Sequence, residues 1–242
     1  MKHLIAIALT PLVLTLAGCG ESDKPAAPAQ SVAAVAAPAG TTWADTVAAT
    51  ADGHYLMGNP DAAVKLVEYG SYTCSHCAAF SAEASEEIRQ LVNSGKMNFE
   101  FRPYVRDPID ISTALLARCG GKDVFYPLSE QFFGNYDAMM TTLQGNESAL
   151  QGIEQAPPAQ RPVRIATALG LIDFAKQRGI AEDQARQCLA DTKTADALVK
   201  GVEEANSQYR ITGTPSFLIN GTLVDNASNW ATLRAQLRET GI

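Results

Sequence analysis

Apolar and polar positions alternate from Val64 to Tyr69, with Val64, Leu66 and Glu68 on one side and Lys65, Val67 and Tyr69 on the other. That is the period of a strand, and it stops at Gly70. A helical period then opens at Cys74 and Cys77 and runs through Phe80, Ala84, Ile88 and Leu91, closed by Asn93-Ser94-Gly95. Asn98 to Pro103 reads as a second strand, and Asp107-Pro108 breaks the chain. From Ile111 to about Gln208 only helical periods appear. They comprise a segment around Ala114, Leu115 and Cys119, then Val124 to Tyr136, Ile165 to Arg178 ended by Gly179, and Gln184 to Leu189. A long stripe of Ala195, Leu198, Val202, Ala205 and Tyr209 follows. Gly145 to Pro162 has no period and reads as a loop. Strand character returns in Gly213 to Ile219, entered through Pro215. Asn220-Gly221 is a hairpin turn, Thr222 to Val224 pairs back, and Trp230 to Leu237 closes with a helix. Trp43 to Met57 is expected to edge onto the domain ahead of a turn at Gly58 to Asp61.

The N-terminus follows a different logic. Lys2 is a basic start, and the apolar run Leu4 to Leu16 is too short to span a bilayer, as in an export signal. Leu16-Ala17-Gly18-Cys19 resembles the lipobox of bacterial lipoproteins, which implies removal of residues 1–18 and lipidation of Cys19. The alternative is an ordinary signal peptide with a chance cysteine. Gly20 at the next position is similar to the pattern that sends such lipoproteins to the outer membrane. Residues 19–42 are Ala, Pro, Ser and Gln with almost no large apolar side chain, and read as a tether about 25 Å long as a coil. The remainder divides into 43–110 with the strand and paired cysteines, a helical block 111–193, and a strand-containing end 194–242.

With 242 residues, 46% of them hydrophobic, the chain can bury a full core. The net charge of −7 and the absence of a basic run argue against nucleic acid as a partner. Five cysteines are an odd number for an exported protein, but acylation of Cys19 leaves four, enough for two bridges.

Cys74-Ser75-His76-Cys77 carries the chemistry. A cysteine at the first turn of a helix meets unpaired N–H groups and the positive end of the dipole, so Cys74 is expected to ionise below the usual thiol range. Cys77, one turn further in, is the candidate resolving thiol. His76 can direct a hydrogen bond or positive charge at Cys74. Glu68 shares a strand face with core residues, and reads either as a buried proton relay for the thiols or as a strand-end carboxylate reaching solvent or a lysine. A zinc site would need a second ligand pair, which the sequence does not offer, and no cofactor is implied.

Strand, C-x-x-C helix, strand, helical block, long helix, Thr-Pro strand, hairpin and final helix is the order of a thioredoxin fold with an all-helical insertion, an α/β architecture. Together with Asp61-Ala62-Ala63-Val64, Glu68-Tyr69, Gly213-Thr214-Pro215, Phe217 and Asn220-Gly221, it resembles the DsbA-like family of exported thiol:disulfide oxidoreductases. The resemblance implies Cys74 as nucleophile, Cys77 as resolving cysteine, His76 as thiolate stabiliser and Glu68 as the acid beneath the site. It also implies Pro215 as a cis-proline facing the disulfide, with Thr214 offering backbone groups to substrate. Ser-His replaces the Pro-His of the best-known oxidases, and Thr214 stands where they have Val, a choice shared with isomerases and reductases of the superfamily. Cys119 and Cys188 lie on apolar helix faces, as two buried thiols or a bridge. An oxidising compartment favours the bridge, and some relatives carry a second disulfide in the helical domain.

The implied function is a monomeric, lipid-anchored dithiol oxidase on the periplasmic side of a bacterial envelope. Its substrates would be reduced exported proteins, and its reoxidant a quinone-linked membrane protein resembling DsbB. An isomerase or reductase of the same fold, or a non-catalytic chaperone-like lipoprotein, are the rival readings.

Overall fold

The computed structural model describes residues 31–242. The expected signal peptide, Cys19 and the start of the tether lie outside the described residues. A six-stranded sheet runs in the order β1-β2-β4-β3-β5-β6, built from Val47–Ala49, Tyr55–Gly58, Val64–Gly70, Met97–Pro103, Ser216–Ile219 and Thr222–Leu223, numbered β1 to β6 along the chain. The central pair β3 and β4 is parallel, with Glu68 opposite Phe101, and the other pairings are antiparallel.

The alternation in β3 decides which helix covers which face. On the Val64, Leu66 and Glu68 side lies α1 (Ser75–Asn93), whose Phe80 ring meets Phe217 of β5 at 4.6 Å and Trp230 of the C-terminal helix at 6.2 Å. On the Val67 and Tyr69 side lies a long helix, Thr192–Tyr209, packing Ala205 and Tyr209 against Tyr69 and Leu218. The sheet is thus covered on both faces, the condition a parallel central pair demands.

Between β4 and that long helix the chain forms the helical insertion. It holds α2 (Pro108–Arg118), α3 (Lys122–Gly134), α4 (Tyr136–Gly145), α5 (Arg161–Ala168), α6 (Leu171–Lys176) and α7 (Glu182–Leu189). The long helix is therefore α8, and Trp230–Glu239 is α9. This is the thioredoxin fold with a helical insertion. Tyr72 joins the two parts: its ring stacks on Phe133 of α3 at 4.9 Å and meets Phe101 of β4 edge-on at 5.7 Å.

Three expectations need correction. Residues 43–57 do not merely edge onto the domain but form the hairpin β1–β2, which extends the sheet beyond β4. The single helix expected over Ile165 to Arg178 is two, because Gly170 adopts a left-handed φ of 68° that ends one and starts the next. The segment from Gly145 to Pro162 is a chain of 3-10 turns at Glu147–Leu150, Ile153–Gln155 and Pro158–Gln160.

The tether reading also fails for 31–42, which lie along the domain as a strap. Val32 N donates to Gly241 O at 3.1 Å, Val35 N to Ser94 O at 3.0 Å, and the Trp43 indole N–H to Val35 O at 2.8 Å. Gly95 has a φ of 70°, and a Cβ there would meet Val35 O at 2.1 Å, so the strap approaches where only glycine fits. Backbone groups hold it, and composition carries no signal for that.

Candidate active site

Cys74 occupies the N-cap of α1 in an extended conformation, and no side chain caps the helix in the usual way. The sulfur takes the place a Ser or Asp oxygen would fill. No acidic residue follows in the first turn to compete for the free N–H groups. Opposite stands the Thr214–Pro215 peptide, in the cis form, with Thr214 O 3.3 Å from Cys74 Sγ and accepting from the thiol.

Both cysteines are free thiols here. Cys74 is pulled down to about 4, chiefly by the hydrogen bond it receives from Cys77. Burial opposes this, while the Thr214 hydroxyl and the N–H groups of Cys77 and His76 assist. The Thr214 hydroxyl is buried and otherwise without a partner, so it is free to turn to the sulfur anion. Cys77, fully buried, is pushed up by the hydrogen bond it gives Cys74, by burial and by Glu68. One proton is thus shared unequally between two sulfurs, with the anion held on the outer one.

Glu68 lies on the core face of β3, only 4% exposed, and its Oε1 has no hydrogen-bond partner. Burial, and secondarily the charge of Cys74, push its carboxyl up to about 8. Of the two readings open from sequence, the solvent-reaching or lysine-paired carboxylate is excluded by this burial. His76 is exposed on the first turn, and its ring makes no hydrogen bond to Cys74. What it gives the sulfur is its backbone N–H. Cys119 and Cys188 are bridged, with Cα atoms 5.7 Å apart, at the ends of α2 and α7.

Sequence reading missed a cluster under the turn before Cys74. Asp110, in the first turn of α2, is completely buried. Its carboxylate accepts from Ser71 Oγ at 2.5 Å, Tyr72 N at 2.8 Å and Arg106 N at 3.1 Å. The Arg106 guanidinium donates to Ser71 Oγ at 3.0 Å and Thr73 O at 2.6 Å. Its one sequence signal is a run of polar residues, Asp110, Ser112 and Thr113, in a helix that is otherwise apolar and buried.

The family profile described as thioredoxin matches residues 50–239. The chain belongs to the thioredoxin family. Within it, a solved protein from Novosphingobium aromaticivorans described as a protein-disulfide isomerase is 34% identical. It aligns over 78% of this chain and 97% of its own with a TM-score of 0.72. A protein-disulfide oxidoreductase of Rickettsia bellii is 25% identical over 72% of this chain and 59% of its own. Wolbachia pipientis alpha-DsbA1, at 24% identity and TM-score 0.55 over 75% of this chain and 80% of its own, shares the fold. This thioredoxin-family chain is DsbA-like. It spans about six-tenths of the length of the Rickettsia relatives it matches. Among the described residues no helix is long and apolar enough to cross a membrane, and no group of three or more His, Cys, Asp or Glu is placed to hold a metal ion.

Proposed function

We propose that this DsbA-like protein is an exported, lipid-tethered dithiol oxidase that donates its Cys74–Cys77 disulfide to reduced exported proteins. A substrate thiolate attacks Cys74 Sγ, the Cys74–Cys77 bond breaks, and Cys77 leaves as a thiolate. Glu68, protonated by virtue of its burial, gives Cys77 its proton. A second substrate thiolate then attacks the first substrate sulfur, forming the product disulfide and releasing Cys74 as an anion.

The observation that carries this reading is the asymmetry of the dithiol: Cys74 held ionised at a helix start against the Thr214–Pro215 peptide, Cys77 held protonated behind it. Whatever stabilises the Cys74 anion stabilises the reduced enzyme, and a stabilised reduced form makes the disulfide a strong oxidant. Pro215 and the backbone of Thr214 form the surface on which an extended substrate segment would lie. Lipidation at Cys19, residence on the periplasmic face, a quinone-linked reoxidant of DsbB type and a monomeric state complete the proposal.

A second reading is an isomerase. It is favoured by Thr214 before the cis-proline and by the 34% identity to a protein described as a protein-disulfide isomerase. Equilibrating Cys74–Cys77 with glutathione, beside refolding assays on a fully reduced and a scrambled substrate, separates the two. The oxidase reading expects an oxidising potential and rescue of the reduced substrate only. A potential near that of thioredoxin, with rescue of the scrambled one, selects the isomerase.

A further inference from the structure

Cys77 is in unfavourable surroundings for a leaving group. It is completely buried, and that burial opposes a negative charge on its sulfur. A disulfide opens faster when the departing sulfur is a better anion, so this burial slows the first step of exchange. One group works the other way: Ser71 N–H points at Cys77 Sγ from 3.5 Å, and it lowers the cost of charge there.

We infer that Asp110, acting through Ser71, is a positioning residue for the departure of Cys77. The inference rests on the exchange reading above, and its geometry is the buried cluster under the Gly70–Cys74 turn. Ser71 is itself fully buried, and its side chain is held from two directions, giving its hydrogen to Asp110 Oδ2 and accepting from Arg106 Nε. Asp110 Oδ1 fixes the next residue through Tyr72 N, and Asp110 Oδ2 also holds Arg106 N. Thr73 is tied in turn through its hydroxyl to Asp107 at 2.6 Å. On the other side of the same peptide, Gly70 O accepts from Tyr104 N at 2.7 Å, so the Ser71 N–H cannot swing away as the sulfur in front of it gains charge. The donor is in place before the bond breaks, which is how a fixed dipole is worth more than a mobile one.

The step balances without an added reactant. The substrate sulfur bonds to Cys74 Sγ, the electron pair of the Cys74–Cys77 bond passes to Cys77 Sγ, and Ser71 N–H meets that charge until Glu68 supplies the proton. Asp110 touches neither sulfur and exchanges no proton in this step.

Two variants and two readouts test the idea in the whole protein. Ser71→Ala removes the clamped oxygen but keeps the backbone N–H, and Asp110→Asn removes one of the two carboxyl oxygens that collect the donors. Opening of the oxidised Cys74–Cys77 bond by glutathione, followed by rapid acid quench and mass measurement, reports Cys77 as leaving group. Alkylation of reduced Cys74 by iodoacetamide across pH reports Cys74 alone. The expected result is opening slowed about tenfold in both variants, the scale of one hydrogen bond to a charged group, with the rate and pH midpoint of alkylation held. Opening within twofold of wild type in Ser71→Ala overturns the inference, even if Asp110→Asn does not fold. So does a loss shared equally by opening and alkylation, since that is what a merely structural role would give. A wild-type protein whose disulfide glutathione does not open at all instead overturns the exchange reading on which the inference stands.

Discussion

Cys74 caps the start of one helix and Cys119 caps the end of another. The same side chain therefore meets opposite fields. At the start of α1 the sulfur receives a hydrogen bond from Cys77 and meets the N–H groups of Cys77 and His76 at the positive dipole end, and it is pulled down to about 4, chiefly by the Cys77 thiol. At the end of α2, Cys119 faces carbonyls and the negative end, and its partner Cys188 lies in the last turn of α7. A thiolate is favoured at the first place and disfavoured at both of the second pair. A disulfide is easiest to reduce where the thiolate it releases is most stable, so one bridge is built to be exchanged and the other to persist. Sequence separation sharpens the contrast: the exchanging cysteines are three positions apart, the others 69.

The largest effect expected from this contrast is on activity. Cys74→Ala should abolish disulfide transfer to a reduced substrate, whereas the double variant Cys119→Ala, Cys188→Ala should retain it. Complementation of an export phenotype by Cys74→Ala would instead favour a binding role over catalysis. The next effect reverses the roles. Opening the Cys119–Cys188 loop should cost about 4 kcal/mol of stability by the chain-entropy argument, read as a lower denaturant midpoint. Opening the Cys74–Cys77 pair should cost far less or be favourable, since the Cys74 anion rewards the reduced state.

Much of this was written in the sequence because the exchanging site is local. Strand, turn, cysteine and helix follow one another between Val64 and Asn93, and their periods mark them. The alternation in β3 also placed Glu68 on the buried face. What stayed hidden depends on distant partners. Asp110 meets Ser71 across 39 positions, so the cluster left only polar letters in an apolar helix. The strands β1 and β2 are short and partly exposed, and gain their identity from pairing with each other and, through β2, with β4. The strap over 31–42 is bound by its peptide groups, which every residue carries alike.

Proton linkage distinguishes Glu68 from Cys74 by sign. Glu68 has a folded pKa raised from 4.5 to about 8, so its neutral form favours folding at low pH and that advantage is lost as pH rises toward 8. At pH 7 the cost is on the order of 3 kcal/mol. In the oxidised protein, where burial alone raises Glu68, stability should fall as pH rises above 4.5, and Glu68→Gln should lessen that slope, leaving the part due to buried Asp110. Cys74 has a folded pKa depressed from 9 to about 4, so its contribution is complete above 9 and is lost as pH falls through 4. The reduced protein should therefore gain on the oxidised one as pH rises from 4 to 9, measured as the difference between their denaturant midpoints. A difference that does not change with pH would mean that Cys74 is an ordinary thiol and that the contrast between helix ends is not what separates the two bridges.

The smallest effect tests what the Thr214–Pro215 loop adds to the helix start. The Thr214 hydroxyl is buried, has no partner among the described residues besides the Cys74 sulfur, and stabilises the anion rather than the thiol. Thr214→Val keeps the shape and the carbonyl facing Cys74 but removes that donor. The loss of one hydrogen bond, about 1 kcal/mol, falls on the reduced form alone and should lower the reduction potential by about 20 mV while raising the Cys74 midpoint. Cys119–Cys188 has no such donor loop, and its resistance to glutathione should not change in the same variant. A drop in potential much larger than this would show the Thr214 loop, rather than the helix start, to be the principal stabiliser of the anion.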